Sequence, residues 1–382
     1  MTQIFASPGR YIQGYKELKN ISNYAVNFGK NFVVITSKGR AVELTEEIEK
    51  SFEGRGCSLV FLPFEGECCM SEINRLVDIV KSNPTKIDAV IGLGGGKVLD
   101  TAKAVAHYIK APIIIVPTIA SNDAPVSALS VIYNDEGTFI DCIFYPKNPE
   151  IVLVDTYIIA NAPARLLVAG MGDALATFYE ARTCVEAYRN NFLGTGTSMA
   201  DSSAGAKATA TSYGLAKLCL DILFEYGLEA KLAVEKKQVT KAVDKIIEAN
   251  SLLSGIGFES NGVATGHAIY CGISALKGRE HLFHGEYVAF GTIAMLVLEG
   301  RDKKEIDEAV RFCLSVGLPV TFEDMNLGDM TDEELDVVVA TAADPGQTSN
   351  VEPFEVTKHE MKAAIITADQ IGKLYKSGGS LV

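Results

Sequence analysis

Up to residue 160, short apolar runs recur at near-regular intervals, and no other feature of the chain limits its architecture so strongly. The runs are Phe32-Val33-Val34-Ile35, Leu59-Val60-Phe61-Leu62, Ala89-Val90-Ile91, Ile113-Ile114-Ile115-Val116 and Ile151-Val152-Leu153-Val154. Each is too short for a helix and apolar at consecutive positions, the pattern of strands covered on both faces within a parallel sheet. Between the second and third runs, Ile73, Leu76, Val77 and Val80 fall at i, i+3, i+4 and i+7, an apolar stripe with which a helix covers such a sheet. The alternation predicts β-α-β-α architecture.

After Pro163 no comparable run occurs. Helical patterns over residues 164–187, 207–226, 240–255, from His267 onward, 285–299, 302–316, 332–343 and 357–375 predict a second unit built of helices, with a long mobile connection around Gly194-Thr195-Gly196-Thr197-Ser198. The expected fold class is α/β, an N-terminal Rossmann-like parallel-sheet domain over residues 1–162 and a C-terminal all-helical domain over residues 163–382. Two units also suit 382 residues, because single cores stop growing beyond roughly 250–300.

Composition excludes several partners. A net charge of −13 repels a phosphate backbone, and no basic run interleaved with aromatics offsets it, so nucleic acid is not an expected partner. The first ten residues lack the basic start and apolar run of a signal peptide, and no segment approaches the roughly 20 apolar residues of a membrane span. The eight cysteines are scattered, without a CxxC pair, and are expected as reduced thiols of a cytoplasmic protein.

The third apolar run leads into Gly92-Leu93-Gly94-Gly95-Gly96-Lys97-Val98-Leu99-Asp100, and a helical pattern follows. Bare backbone lets an anion approach, and the N–H groups and dipole of the helix start favour a pyrophosphate. Neither a P-loop, which needs glycine at Ile91 and a hydroxyl at Val98, nor GxGxxG, which needs glycine at Lys97, is present. The turn is either a phosphate cradle or a steric link between strand and helix. Beyond the next strand, Val116 to Ser130 carry hydroxyls and one carboxylate, Asp123, in the zone where open α/β sheets bind ligands. Asp123 is placed there to hydrogen-bond a hydroxylated substrate, or else closes an Asx turn.

Of the five histidines, His267 and His284 stand 17 apart, too far for one helix face but suited to two helices meeting across a loop. Asp173, flanked by glycine, offers a third donor. One carboxylate and two imidazoles form a borderline set that zinc accepts, with an open coordination position for catalysis. Against this, histidines are often core or capping residues, the reading given to His107 and His359. His281 either relays near the metal or only lines the loop.

On Gly94-Gly95-Gly96-Lys97 with Asp100-Thr101-Ala102-Lys103, Ser127 to Tyr133, Gly172-Asp173-Ala174-Leu175-Ala176, Leu252 to Ser260 and His284-Gly285-Glu286, the sequence resembles the bacterial glycerol dehydrogenase family over nearly its whole length. That family lies within the iron-containing alcohol dehydrogenase superfamily, which shares its fold with dehydroquinate synthase. The resemblance implies a dehydroquinate synthase-like fold in which the N-terminal domain binds the dinucleotide and the helical domain holds metal and substrate. It implies that Asp173, His267 and His284 hold Zn²⁺, that Asp123 faces the substrate, and that Gly94, Gly95, Thr118, Ser127, Leu129 and Tyr133 line the dinucleotide. Ser37, Gly96, Lys97, Asp100 and Ser121 are further cofactor-binding candidates at the same strand ends. Asp123, Asp173, His267 and His284 form the expected catalytic set, and a homo-oligomer, up to an octamer, is the expected assembly.

Three departures bear on chemistry. Many superfamily members carry a metal-binding histidine four residues after the aspartate, where this chain has Thr177, which favours zinc on three protein ligands. The frequent His-Ala-Ile-His-Asn is here His267-Ala268-Ile269-Tyr270-Cys271. An aspartate that takes the adenosine ribose in NAD-using relatives is replaced by Ser37, followed by Lys38 and Arg40. NAD stays the expected cofactor, and NADP is admitted because no carboxylate repels its 2′-phosphate.

The expected activity is metal-dependent oxidation of glycerol, or a related vicinal diol, to dihydroxyacetone with hydride transfer to NAD(P). The rivals are a related dehydrogenase acting on a hydroxy acid or other alcohol, and a catalytically silent dinucleotide-binding protein. Between His267 and His284 only Lys277 and Arg279 are cationic, which favours a neutral substrate.

Overall fold

A computed structural model describes residues 2–37, 41–194, 205–276, 278–279 and 281–382. Lys38, Arg40, Lys277 and residues 195–198 of the Gly/Ser/Thr-rich connection lie outside the described residues.

The strands are β1 (Tyr11–Gly14), β2 (Asn31–Ser37), β3 (Ser58–Phe64), β4 (Ala89–Gly94), β5 (Ile113–Pro117), β6 (Leu129–Tyr133), β7 (Phe139–Phe144) and β8 (Ile151–Asp155). Six of them make a parallel sheet in the order β1-β8-β5-β4-β2-β3, while β6 and β7 pair as a separate antiparallel hairpin. Around the sheet run α1 (Ile21–Ala25), α2 (Ala41–Phe52), α3 (Met70–Ser82), α4 (Gly96–Ile109) and the short α5 (Thr156–Ala160). The remainder is helical: α6 (Ala164–Glu186), α7 (Ala210–Glu235), α8 (Lys241–Glu248), α9 (Ser254–Asn261), α10 (Thr265–Ser274), α11 (His284–Leu298), α12 (Lys303–Val316), α13 (Asp332–Ala342) and α14 (Lys358–Lys376). A π-helical turn, Ala249–Leu253, joins α8 to α9. This is the α/β sheet followed by helices that the sequence pattern predicts. No helix among the described residues is long and apolar enough to cross a membrane.

The unbroken apolar runs have a direct cause. Phe32, Val34, Ile91, Leu93, Ile114 and Leu153 pack with Leu18, Ile21, Ile48 and Phe52 on one face, whereas Val33, Ile35, Val90, Ile115 and Val152 pack with Leu76, Leu99 and Val105 on the other. Side chains alternate faces along a strand, so covering both faces removes the polar alternation that a half-solvated sheet would show. In the helical part, α6 and α11 are buried on nearly every side and form its centre.

Four parts of the fold differ from the sequence reading. β1 and the β6–β7 hairpin carry no apolar run, because β1 is a half-buried edge strand and β7 is largely exposed. α7 continues nine residues past Tyr226, since Gly227 is not a stop: a Cβ there would lie 2.7 Å from the Phe312 ring, so the glycine serves helix packing. The helix expected to close at Gly255 runs on to Asn261 for a similar reason, as Gly255 lies against the loop after β5.

Strand order places the ligand crevice. From β2 the chain passes through α2 to β3 at the sheet edge, then returns through α3 to β4 on the other side of β2. Connections diverge at the carboxyl ends of β2 and β4, the switch point where open α/β sheets bind ligands. Thr36 pairs with Leu93, so the two strands end side by side at Ser37 and Gly94.

Candidate functional site

Close helix crossings assemble the charged centre. Asp173 lies midway along α6, where a Cβ on Gly172 would come within 2.2 Å of the Gly285 carbonyl and one on Gly285 within 1.9 Å of the Ala169 carbonyl. The paired glycines let α6 and α11 touch through their backbones, which sets Asp173 beside His284, the first residue of α11. Gly266 and Gly291 do the same for α10 and α11, since a Cβ on Gly291 would lie 2.4 Å from the Gly266 carbonyl. His267, in the first turn of α10, is thereby brought to the same point.

Asp173 Oδ1 lies 3.1 Å from His284 Nε2 and 3.7 Å from His267 Nε2. Donor atoms of Asp173, His267 and His284 all fall within 4.8 Å of one another, the only such group of three or more among the described residues. Asp173 Oδ2 is buried without a hydrogen-bond partner, so a full acceptor is left over at the centre of the cluster. That donor set and that orphaned oxygen fit a divalent cation.

Glu180, two turns after Asp173 on the same helix face, stands behind His267. Its Oε2 lies 2.6 Å from His267 Nδ1 and its Oε1 accepts the His267 backbone N–H at 2.9 Å. A carboxylate oxygen accepts, so Nδ1 is the donor to Glu180 and Nε2 is the ring nitrogen turned toward Asp173. Burial pushes the His267 imidazole down, but Glu180 and Asp173 outweigh it and raise it well above its ordinary value. Burial likewise pushes Asp173 up, and His284 and His267 overcome it, holding the carboxyl below the usual range. Tyr270 stands edge-on to His284 with ring centroids 4.3 Å apart, and burial pushes its phenol up to about 12.

Asp123 reaches this centre from the loop after β5. Its Oδ2 accepts a hydrogen bond from Ser254 at 2.8 Å, and burial together with the Asp173 charge raises its carboxyl well above the usual range. Two carboxylates that repel each other again suit a cation between them.

The cofactor candidates gather at the ends of β4, β5 and β6. Gly94 ends β4, extended Gly95 caps α4 and Gly96 begins it. A Cβ at Gly94 would meet Val98, at Gly95 Ile119 Cδ1 at 2.9 Å, and at Gly96 the Asn122 amide at 2.6 Å. The three glycines therefore allow close packing of Val98, Ile119 and Asn122 at the N-terminus of a 14-residue helix with no acidic side chain in its first turn. The Thr118 N–H donates to the Gly94 carbonyl, which ties the β5 loop to the turn. Exposed Lys97 pairs with Glu67 and lies 5.3 Å from the Tyr133 ring centroid. Ser37 and Ser121 are half-buried.

Asp100 is held within the protein: its Oδ1 lies 2.8 Å from Lys103 Nζ, its Oδ2 accepts the Val131 N–H at 3.0 Å, and it is 4% exposed. Lys103 in turn donates to the carbonyls of Ala124, Ser127 and Leu129. Asp100 thus anchors the β6 segment through a buried ion pair. Ser127 is also fully buried, its hydroxyl near Lys103 Nζ at 3.3 Å, and Leu129 is buried with its carbonyl on Lys103.

Sequence reading missed Glu180, Asn122 and Ser254 as parts of this region, and took Thr177 only as the lack of a fourth imidazole. Glu180 had a signal, the seven-residue spacing from Asp173 that repeats one helix face. The others had none, since their roles depend on loops and helices remote in sequence. Arg279, considered as a receptor for an anionic substrate, is bound by Asp329 at 2.8 Å and Glu334 at 2.9 Å. His281 contributes its backbone N–H to the Tyr287 hydroxyl at 3.1 Å.

The family model described as iron-containing alcohol dehydrogenase matches residues 8–156. A glycerol dehydrogenase of Thermotoga maritima is 46% identical over 377 residues, covering 98% of this chain and 99% of the relative. That of Citrobacter freundii is 44% identical over 373 residues, with the same shares covered. The crystal structure of a probable glycerol dehydrogenase from Sinorhizobium meliloti superposes with a TM-score of 0.88 at 39% identity, covering 97% of this chain and 99% of that one.

Proposed function

We propose that this chain, which belongs to the iron-containing alcohol dehydrogenase family and within it to the glycerol dehydrogenases, oxidises glycerol or a closely related vicinal diol, giving dihydroxyacetone from glycerol. It is a metal-dependent, NAD(P)-linked oxidoreductase with a metal-binding site and a dinucleotide-binding fold. The observation that carries the finer reading is the convergence of Asp173, His267 and His284 beside Asp123.

In this reading Asp173, His267 and His284 hold the metal, and the Thr118, Ser121, Ser127, Leu129 and Tyr133 segments face the dinucleotide. When bound, the cation would supply Lewis acidity toward a substrate hydroxyl, whose proton would pass to solvent, and the dinucleotide would supply the hydride acceptor. Glu180 keeps His267 in one tautomer and one orientation. Asp123 accepts a hydrogen bond from a second substrate hydroxyl, which favours polyols over simple alcohols. The backbone N–H groups of Gly94 to Gly96 at the N-terminus of α4 receive the pyrophosphate, and Ser37 meets the adenosine ribose. Zinc is supported by the three-donor set, because Thr177 supplies no fourth imidazole. NAD is the principal cofactor, with NADP admitted by Ser37.

Arg279, held by two carboxylates, is not free to receive a hydroxy acid. We place the unit boundary at Pro163, with residues 1–162 binding the dinucleotide and residues 163–382 the metal and substrate. A cytoplasmic homo-oligomer completes the proposal.

The test is metal analysis of the purified protein, followed by initial rates with glycerol, 1,2-propanediol and a 2-hydroxy acid against NAD and NADP. Zinc near one equivalent per chain and the highest kcat/KM on a diol are expected. A metal-free active enzyme, or preference for the hydroxy acid, would overturn the proposal.

A further inference from the structure

The segment Leu252 to Ser260 takes no part in the chemistry described so far, yet it packs against the substrate-facing loop. Ser254 follows the π-helical turn, is fully buried, and donates to Asp123 Oδ2 at 2.8 Å. Its oxygen lies 2.9 Å from the Thr177 hydroxyl on α6, also buried. A carboxylate only accepts, so the single Ser254 proton goes to Asp123 and Thr177 donates to Ser254. The three groups form a one-way chain, Thr177 to Ser254 to Asp123.

Thr177 is unusual in this respect. Thr101 and Thr292, also inside helices, turn their hydroxyls back onto the carbonyl four residues earlier, at 2.9 and 2.8 Å. The Thr177 hydroxyl points across to α9 instead. The two glycines that follow Ser254 in α9 permit this. A Cβ on Gly255 would lie 2.2 Å from Val126 Cγ2 and 2.8 Å from the Asp123 carbonyl, and one on Gly257 would lie 2.3 Å from Thr177 Cγ2. Asn250, within the π turn, fastens the same loop from below by donating to the Ala120 carbonyl at 3.0 Å and the Leu167 carbonyl at 2.9 Å.

We infer that Ser254, oriented by Thr177, is a positioning residue that fixes the direction of the Asp123 carboxylate and with it the site's selectivity for a second hydroxyl. The inference rests on the reading of Asp123 as the group that faces that hydroxyl. Ser254 Oγ engages Oδ2 and thereby sets the plane in which the carboxylate meets substrate. Without that anchor the carboxylate turns about its χ2, and the hydrogen bond to the second hydroxyl is no longer prepaid in orientation.

The experiment compares S254A, T177V, T177S and D123N on 1,2-propanediol and 1-propanol, alongside zinc content, dinucleotide affinity by fluorescence titration, and melting temperature. S254A is expected to raise KM for the diol about tenfold, the scale of one lost charge-assisted hydrogen bond, and to change the mono-alcohol less than about twofold. T177V moves the diol in the same direction by about threefold, and T177S, which keeps the hydroxyl, restores the original value. Zinc content and dinucleotide affinity stay unchanged. If D123N loses diol selectivity while S254A keeps it, the positioning role is wrong and the Asp123 reading stands. If D123N itself keeps selectivity, the Asp123 reading fails. A uniform loss on both alcohols with zinc loss would reduce Ser254 to a packing residue and overturn the inference.

Discussion

Glu180 grips His267 at two points, its side-chain Nδ1 at 2.6 Å and its backbone N–H at 2.9 Å, so one buried carboxylate sets both the tautomer of the imidazole and the start of the helix that carries it. Glu180→Gln replaces one acceptor oxygen with a donor and lets the ring turn. Metal affinity of the apoprotein, measured by competition with a chromophoric chelator, is expected to fall roughly 10–100-fold with the fold intact. Unchanged affinity would show that Nε2 is aimed without Glu180.

Asp173 supplies the one carboxylate shared by both imidazoles. Asp173→Asn and His267→Ala should each abolish turnover, leave the far-UV circular dichroism unchanged, and copurify with less than about a tenth of the metal. Full activity in either variant would remove the assignment of these side chains as ligands.

Gly172 and Gly285 let α6 and α11 meet through their backbones. Gly172→Ala puts a methyl 2.2 Å from a carbonyl oxygen, which the helices relieve only by separating. A destabilisation of about 1–3 kcal/mol is expected by denaturant titration, together with weaker metal binding, because Asp173 moves with the helix. A variant as stable as the parent would mean the crossing is looser than drawn.

Ser37 ends β2 beside the glycine turn, where a carboxylate would repel a 2′-phosphate. Ser37→Asp is expected to lower kcat/KM with NADP about tenfold or more relative to NAD, since one like charge at close range costs at least about 1.4 kcal/mol. A ratio that does not move would place the adenosine ribose elsewhere.

Burial, and then the neighbouring Glu299, push the Glu352 carboxyl up from 4.5 to about 8. The folded state therefore holds a proton that the unfolded chain releases near pH 4.5. The resulting stabilisation is complete below that pH, declines as pH rises toward 8, and changes no further above it. Glu352→Gln carries no such proton, so its melting temperature relative to the parent at equal pH should climb between pH 5 and 8. A flat difference across that range would contradict the raised Glu352 carboxyl.

Parallel strands were legible because covering both faces of a sheet writes a local signature, Phe32 to Ile35 or Ile113 to Val116, into consecutive residues. The metal cluster was partly legible, since only five histidines exist and Asp173 is framed by glycines. The purpose of those glycines was not. Gly172, Gly227 and Gly255 look alike in a string of letters, whereas in space each meets a different neighbour.

Asp100 shows the limit from the other side. It stands four residues after the glycine cradle, as a ligand-binding carboxylate would, but Lys103 one turn on captures it and the pair is buried under the β6 segment. Glu180 and Ser254 acquire meaning only through His267, 87 residues away, and Asp123, 131 residues away. Periodicity is local and survives in sequence, so fold class and ligand residue types were determined there. Distances of 2 to 4 Å between remote atoms arise from helix crossings and loop closure, so the aim of each carboxylate was decided by the tertiary structure alone.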